Sequence, residues 1–164
     1  MSSPSGTADL DTVIEDMTEA IARDPSDAHA YFRRGNALSN KRQYVEARED
    51  MQQVIALDPT NAMAHNNLGV ANLCLGDFET AAQNTSAAIN LNSEYRDAFH
   101  NRGLARSETG ELELALADFS RAIALDPEYW PAYRHRSVVH HLLGNSGASY
   151  EDFLKARELM ASSG

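Results

Sequence analysis

Glycine recurs at one constant interval, at Gly35, Gly69 and Gly103. A repeat of this kind restricts the chain to folds built from stacked copies of one small unit. Glycine, alanine and proline return at this interval in four separate columns. The columns are Gly35, Gly69 and Gly103; Gly76, Gly110 and Gly144; Ala47, Ala81 and Ala115; and Pro25, Pro59 and Pro127, with Ser93 between the last two prolines. So many coincident columns indicate an internal repeat whose copies bury their apolar faces against one another.

Each copy contains two amphipathic helical segments separated by a turn. In residues 62–95, the first segment carries apolar residues at helical spacing up to Leu75, and Gly76 ends it. A second apolar face follows from Phe78 to Ile89. The unit closes where other copies carry proline, which cannot continue a helix. The pattern predicts an all-α chain with turns near Arg42, Gly76, Gly110 and Gly144.

This unit resembles the tetratricopeptide repeat, a helix–turn–helix unit of about 34 residues. The stretch from Ala64-His-Asn-Asn-Leu-Gly to Gly76-Asp-Phe-Glu-Thr-Ala carries the resemblance, as does Gly110 to Pro127. It implies an all-α, right-handed α-α superhelix with four first helices and five second helices. The expected divisions are a disordered N-terminus (1–9), an N-terminal half repeat of one helix (10–27), full repeats at 28–61, 62–95 and 96–129, and a divergent fourth repeat with the C-terminal end (130–164).

One column pairs charged residues within each repeat. Arginine precedes the column glycine in three repeats, and an aspartate follows each arginine at one constant distance; the pairs are Arg34 with Asp50, Arg102 with Asp118 and Arg136 with Asp152. The remaining repeat has Leu68 and Asn84 instead. Because both positions change together, we predict that each arginine binds the aspartate of its own second helix through its planar fork. Ordinary surface charge is the alternative.

Charge and composition exclude several classes of partner. The chain has 24 acidic against 14 basic residues, a formal net charge of -10, which disfavours nucleic acid and anionic membranes. The longest uncharged stretch, residues 59–76, contains four asparagines, so no membrane insertion is expected. The first residues do not resemble a signal peptide, and a cytoplasmic protein is expected.

No pattern in the sequence predicts catalysis or a cofactor. Phosphate-binding glycine loops and a nucleophile elbow are absent, so we expect no enzyme activity and no cofactor. Cys74 is the only cysteine; we expect a small buried residue, with exposure to the groove as the alternative. All six histidines fall on first helices, where polar lining competes with a metal site. His65 is expected in a core column with Tyr31, Phe99 and Tyr133.

The resemblance implies that first helices line a concave groove, and therefore that the protein is an adaptor or scaffold for a protein or peptide partner. The candidate peptide-binding residues are Arg33, Asn36, Asn66, Asn67, His100, Asn101, Arg134 and His135. Two family binding modes apply. The carboxylate clamp of co-chaperone-like members matches at Asn36 and Asn67 but not at Phe32, Asp97 or Asn101. An asparagine ladder matches at two of four positions, in the column Arg33, Asn67, Asn101 and His135. Alternatively, these asparagines bond only to neighbouring repeats.

Self-assembly is the competing function. Solenoid ends require polar caps. The half repeat lacks a first helix, so Val13, Ile14 and Met17 are expected to lack a neighbour, and no solvating helix follows Leu159 and Met160. The chain then either covers these ends itself or forms a homo-oligomer through them.

Overall fold

The computed structural model describes residues 6–162, which form nine helices and no strand. The helices are α1 (Gly6–Arg23), α2 (Ala28–Asn40), α3 (Tyr44–Leu57), α4 (Ala62–Leu75), α5 (Phe78–Leu91), α6 (Arg96–Glu108), α7 (Leu112–Leu125), α8 (Trp130–Leu142) and α9 (Ser146–Ser162). First helices are α2, α4, α6 and α8; the odd-numbered helices are second helices. Each packs on its neighbours in the chain, which confirms the predicted α-α superhelix.

Helix starts follow the repeat interval of the sequence. The four first helices begin at Ala28, Ala62, Arg96 and Trp130, the residues at which the four predicted repeats begin. At the N-terminus the structure differs from the prediction, because α1 starts at Gly6 within the stretch expected to be disordered. Asp9 in its first turn complements the positive end of the helix dipole and favours this earlier start. The rest of that stretch, residues 1–5, lies outside the described residues.

The turn inside each repeat depends on one residue with left-handed backbone geometry. Gly76, Gly110 and Gly144 have φ values of 80°, 81° and 78°, which glycine adopts without a steric penalty. Arg42 takes the same place in the first full repeat with φ 62°, the only non-glycine residue with positive φ between residues 6 and 162. All four predicted turn positions are therefore confirmed.

Small residues let the two helices of a repeat approach closely. A Cβ atom on Gly103 would lie 2.7 Å from the Phe119 ring, and one on Gly35 would lie 2.5 Å from Cε of Met51. Phe119 and Met51 occupy the same position on the second helices of their repeats, and both are almost fully buried. Both Ala81 and Ala115 are 0% exposed, as predicted.

Replacing Ala115 with leucine is expected to lower the free energy of unfolding by about 1–3 kcal/mol, because the packed interface has no room for three more carbons. Urea unfolding measures this change. Ala117→Leu is the matched control, since Ala117 lies on the same helix and is exposed. Equal unfolding midpoints for the two variants would contradict the packing described here.

The arginine–aspartate pairs predicted from sequence are present. Arg34 donates from Nε and Nη2 to the two carboxylate oxygens of Asp50 at 2.9 and 2.7 Å. The pairs Arg102–Asp118 and Arg136–Asp152 repeat this forked geometry at 2.7–2.9 Å. In the second full repeat, Leu68 instead joins the apolar core and Asn84 donates to the carbonyl of Thr80 at 2.9 Å.

Each of these arginines also reaches the preceding repeat. Arg102 Nη1 donates to the hydroxyl of Ser86 on α5 at 3.2 Å, and Arg136 Nη1 donates to that of Ser120 on α7 at 2.9 Å. Arg34 does the same to Thr18 on α1 at 3.2 Å. One guanidinium therefore fixes its own second helix and the previous one in register.

Candidate peptide-binding groove

The groove is the surface formed by the first helices α2, α4, α6 and α8, which lie side by side with contacts between successive members. Positions separated by one repeat therefore form columns across these helices. The eight candidate residues occupy three of these columns. Four first helices thus bring together side chains from residue 33 to residue 135 of the chain.

The asparagines form a hydrogen-bonded network across three repeats. Asn67 donates to Oδ1 of Asn36 at 2.9 Å, and Asn66 donates to Oδ1 of Asn67 at 3.3 Å. Asn101 donates to Oδ1 of Asn66 at 3.0 Å, which extends the network to α6. The amides thus bond to neighbouring repeats, one of the alternatives the sequence left open. Each amide nitrogen still has a second hydrogen to donate.

Two histidines continue the polar network into the fourth repeat. Nε2 of His100 lies 2.9 Å from Nδ1 of His135, so one ring donates and the other accepts. The Tyr129 hydroxyl lies 3.4 Å from the other nitrogen of His100. Burial, followed by the neighbouring His135, lowers the pKa of His100 to about 4. The pKa of His135 is also lowered, first by burial and then by the charge of Arg134.

The eight candidate residues divide into three levels of exposure. Asn66 and His100 occupy the same repeat position and are buried, with 4% and 7% exposed. They were expected to line the groove, but their side chains are drawn into the contacts between helices: Asn66 bonds to Asn67 and Asn101, and the His100 ring packs against Phe119. Arg134 occupies the same repeat position but makes no such contact with any residue between 6 and 162. Arg33 and Arg134 are exposed, and the half-buried candidates are Asn36, Asn67, Asn101 and His135.

Two cavities open beside Asn36. The first has a volume of about 370 Å³ and lies between α2, α3 and α4, where Asn67 and Val70 form its wall and Met51 is part of its lining. The second, of about 470 Å³, is lined by Phe32, Arg33 and Met63 among others. Sequence reasoning had not separated these cavities, although both contain small or apolar residues at groove positions.

An ionic cluster at the start of α6 was also missed. Arg96 donates to the carboxylate of Asp97 at 2.9 Å and to that of Asp126 at 2.5 Å, and its guanidinium lies 4.1 Å from the centroid of the Tyr129 ring. The charge of Asp97 is therefore neutralised within the groove. The alternation of Arg96 and Asp97 was the only signal of this cluster in the sequence.

Other sequence predictions have mixed outcomes. Nε2 of His65 lies 3.1 Å from the carbonyl oxygen of Pro59, and the Tyr133 hydroxyl donates to that of Pro127 at 3.2 Å. His65 and Tyr133 occupy the same position two repeats apart, and each contacts the carbonyl oxygen of the proline that precedes its own helix. Cys74 is exposed, so the expectation of a buried thiol was wrong.

Two absences concern ligands and membranes. Across residues 6–162, no three histidine, cysteine, aspartate or glutamate side chains come together as a metal site. In that same part of the chain, no helix has the length and apolar character needed to cross a membrane.

Comparison with sequence families identifies one kind of repeat. Models of the tetratricopeptide repeat match residues 28–61, 51–83 and 97–129, which together cover more than half of the chain. The first of these matches has the same bounds as the first full repeat. No curated protein matches the sequence.

Solved structures with the same fold include MamA, which is 24% identical and superposes with a TM-score of 0.87. The match covers 99% of this chain and 98% of the MamA chain. YrrB, described as a TPR protein with an unusual peptide-binding site, is 24% identical over 94% of this chain and 80% of its own, with a TM-score of 0.78. The first TPR of Spaghetti (RPAP3), bound to the HSP90 peptide SRMEEVD, is 27% identical. The match covers 74% of this chain and 96% of the Spaghetti domain, with a TM-score of 0.71.

Proposed function

The chain belongs to the tetratricopeptide repeat family, and we propose that it is a non-enzymatic adaptor or scaffold that binds a peptide or protein segment in its groove. One observation carries this proposal: a polar network runs along the groove from Asn36, which lines two open cavities, to Asn101. Amides that can both donate and accept match the groups of a peptide backbone without selecting side chains.

The spacing of the amides fits an extended ligand. Asn67 and Asn101 are equivalent residues on adjacent helices whose axes are separated by about 10 Å. An extended peptide advances about 3.3 Å per residue, so the two side chains would meet its backbone about three residues apart. The cavities on either side of Asn36 would then receive side chains of the ligand.

The carboxylate clamp is not the mode we propose. Two of its expected basic positions hold Phe32 and Asp97, and Asp97 is already bound by Arg96. Neither Phe32 nor Asp97 supplies the positive charge with which a clamp holds the C-terminal carboxylate of its ligand. Two of the structures with this fold, YrrB and the Spaghetti domain, are described as peptide-binding or peptide-bound, which supports groove binding in general terms.

Converting Asn67 and Asn101 to alanine is expected to weaken partner binding by more than about tenfold, or roughly 1.4 kcal/mol. The ligand backbone would lose two hydrogen-bonding partners that a solvated groove does not replace. Affinity capture from native lysate followed by titration of the captured partner measures the change. Circular dichroism checks that helicity is unchanged.

Asn90→Ala is the matched control, because Asn90 is an exposed asparagine on the second helix α5. Its binding should equal that of the parent. If the double variant also captures the same partners as strongly as the parent, recognition does not occur in the groove.

A second candidate function, homo-oligomer formation, is favoured by the exposed side of α9. Phe153 is 51% exposed, whereas Phe119 at the same repeat position is 0% exposed beneath α8. Tyr150 and Leu154 beside it are 63% and 42% exposed. At the other end, Val13, Ile14 and Met17 are half-buried rather than bare. We propose that any self-association uses this face of α9.

Phe153→Asp is expected to abolish such self-association, because a carboxylate in an apolar contact is strongly disfavoured. Light scattering over a range of protein concentrations gives the mass of each species. Val45→Asp, which adds the same charge at an exposed apolar residue on α3, should behave as the parent. A parent chain that is monomeric at every concentration rules out this second function.

A further inference from the structure

The arginines of the first helices fall into two groups. Five of the seven are bound to carboxylates: Arg34, Arg96, Arg102, Arg106 and Arg136. The other two, Arg33 and Arg134, are exposed and have no carboxylate partner anywhere in the described part of the chain. They lie at opposite ends of the groove, on α2 and α8.

Few negative charges oppose these two arginines. The first helices contain only two acidic residues, Asp97 and Glu108. Arg96 already binds Asp97, and Glu108 is the last residue of α6, about two turns beyond Asn101. The groove therefore presents unpaired positive charge on a chain whose formal net charge is -10.

The polar groups near Arg33 are also arranged as donors. The Nδ2 atom of Asn36 makes no hydrogen bond to any described residue, while its Oδ1 atom is occupied by Asn67. Asn36 and Arg33 both line the cavity of about 470 Å³, together with the apolar side chains of Phe32 and Met63. This end of the groove thus offers two donors next to an apolar pocket.

We infer that the occupant of the groove is an extended acidic segment, with one carboxylate side chain at Arg33 and another at Arg134. This inference rests on the proposed function, since it names the class of peptide that the same groove would take. A carboxylate accepts two parallel hydrogen bonds from a guanidinium, which suits an arginine that has no partner in the free protein. An apolar side chain beside the first carboxylate would fill the cavity at Phe32.

The length of the segment follows from the helix spacing. Three steps of about 10 Å separate α2 from α8, a distance of about 30 Å. An extended chain covers this distance in about nine residues. The net negative charge of the protein does not prevent binding, because charges beyond a Debye length of about 8 Å are largely screened at physiological salt.

The test is a selection from a displayed library of random peptides of about twelve residues, long enough to span the groove, with the full chain as bait. Selected peptides should be enriched in aspartate and glutamate at two positions about nine residues apart. Fluorescence anisotropy of individual peptides should show that Arg33→Gln and Arg134→Gln each weaken binding about threefold to fivefold, the upper part of the range for a solvent-accessible charge pair. Arg48→Gln, which removes an arginine from the second helix α3, should leave binding unchanged.

The outcomes separate this inference from the proposed function. Peptides that require Asn67 and Asn101 but are neutral or basic, or that bind both arginine variants as well as the parent, overturn the acidic ligand and leave groove binding intact. Peptides that ignore the Asn67 and Asn101 substitutions, or the selection of no peptide, overturn both.

Discussion

Replacing Asp118 with alanine is expected to lower the free energy of unfolding by about 3–5 kcal/mol, among the largest effects of any single substitution in this chain. Asp118 is 3% exposed and accepts hydrogen bonds from Arg102 at 2.9 and 2.7 Å and from Arg106 at 2.7 Å. Without the carboxylate, the largely buried guanidinium group of Arg102 loses its counter-charge, and that of Arg106 keeps only Glu111. Urea unfolding should show a shift of the midpoint by about 1 M or more.

The sequence supplies its own control for this substitution. The second full repeat has leucine and asparagine at the two positions, and Leu68 packs there in the apolar core. The double variant with Arg102→Leu and Asp118→Asn copies that arrangement and leaves Arg106 beside Glu111. Because it removes the pair rather than one partner, it is expected to recover most of the lost stability.

A double-mutant cycle on Arg102 and Asp118 gives the strength of the contact itself. The coupling should exceed the roughly 0.2–1 kcal/mol of an exposed pair, since the Asp118 side chain is only 4% exposed. Coupling near zero would mean that the arginines act by packing alone.

The fold could be predicted from sequence because its signals are local and repeated. Gly76 and Gly110 occupy a left-handed turn that few other residues tolerate, so the turn appears in the sequence as a glycine column. Gly103 faces Phe119 so closely that a side chain cannot fit, and a second column follows. The exchange of arginine and aspartate for Leu68 and Asn84 identified contact partners on the two different helices of a repeat.

The site could be predicted only in part, because the side-chain contacts between asparagines of neighbouring repeats do not follow the period of the sequence. Asn67 and Asn101 are equivalent by position, yet Asn67 bonds to Asn36 and Asn101 bonds to Asn66. The network therefore changes its members from one repeat to the next. Helical periodicity likewise placed His100 in the groove, whereas its ring turns into the core against Phe119.

Acidification is expected to remove about 3 kcal/mol of stability through His100 alone. Burial first and the adjacent His135 second lower its pKa from 6.5 to about 4, so the folded state favours the neutral ring. Because the folded state favours the neutral imidazole, His100 contributes fully to stability at pH values above the pKa of histidine in the unfolded chain. Its contribution is therefore present at pH 7 and falls progressively as the pH decreases from about 6.5 to about 4.

The histidine contribution must be separated from that of the carboxylates, which titrate in the same range. His100→Asn is the suitable variant, because the equivalent residue of the preceding repeat is Asn66, which is buried and hydrogen-bonded. Between pH 7 and pH 4, wild type should lose about 3 kcal/mol more unfolding free energy than this variant. The Asp97 carboxylate opposes the effect and Arg96 reinforces it, but burial dominates both. If both proteins lose the same amount, protonation of His100 is not coupled to folding, and the contact between α6 and α8 is maintained with a charged ring.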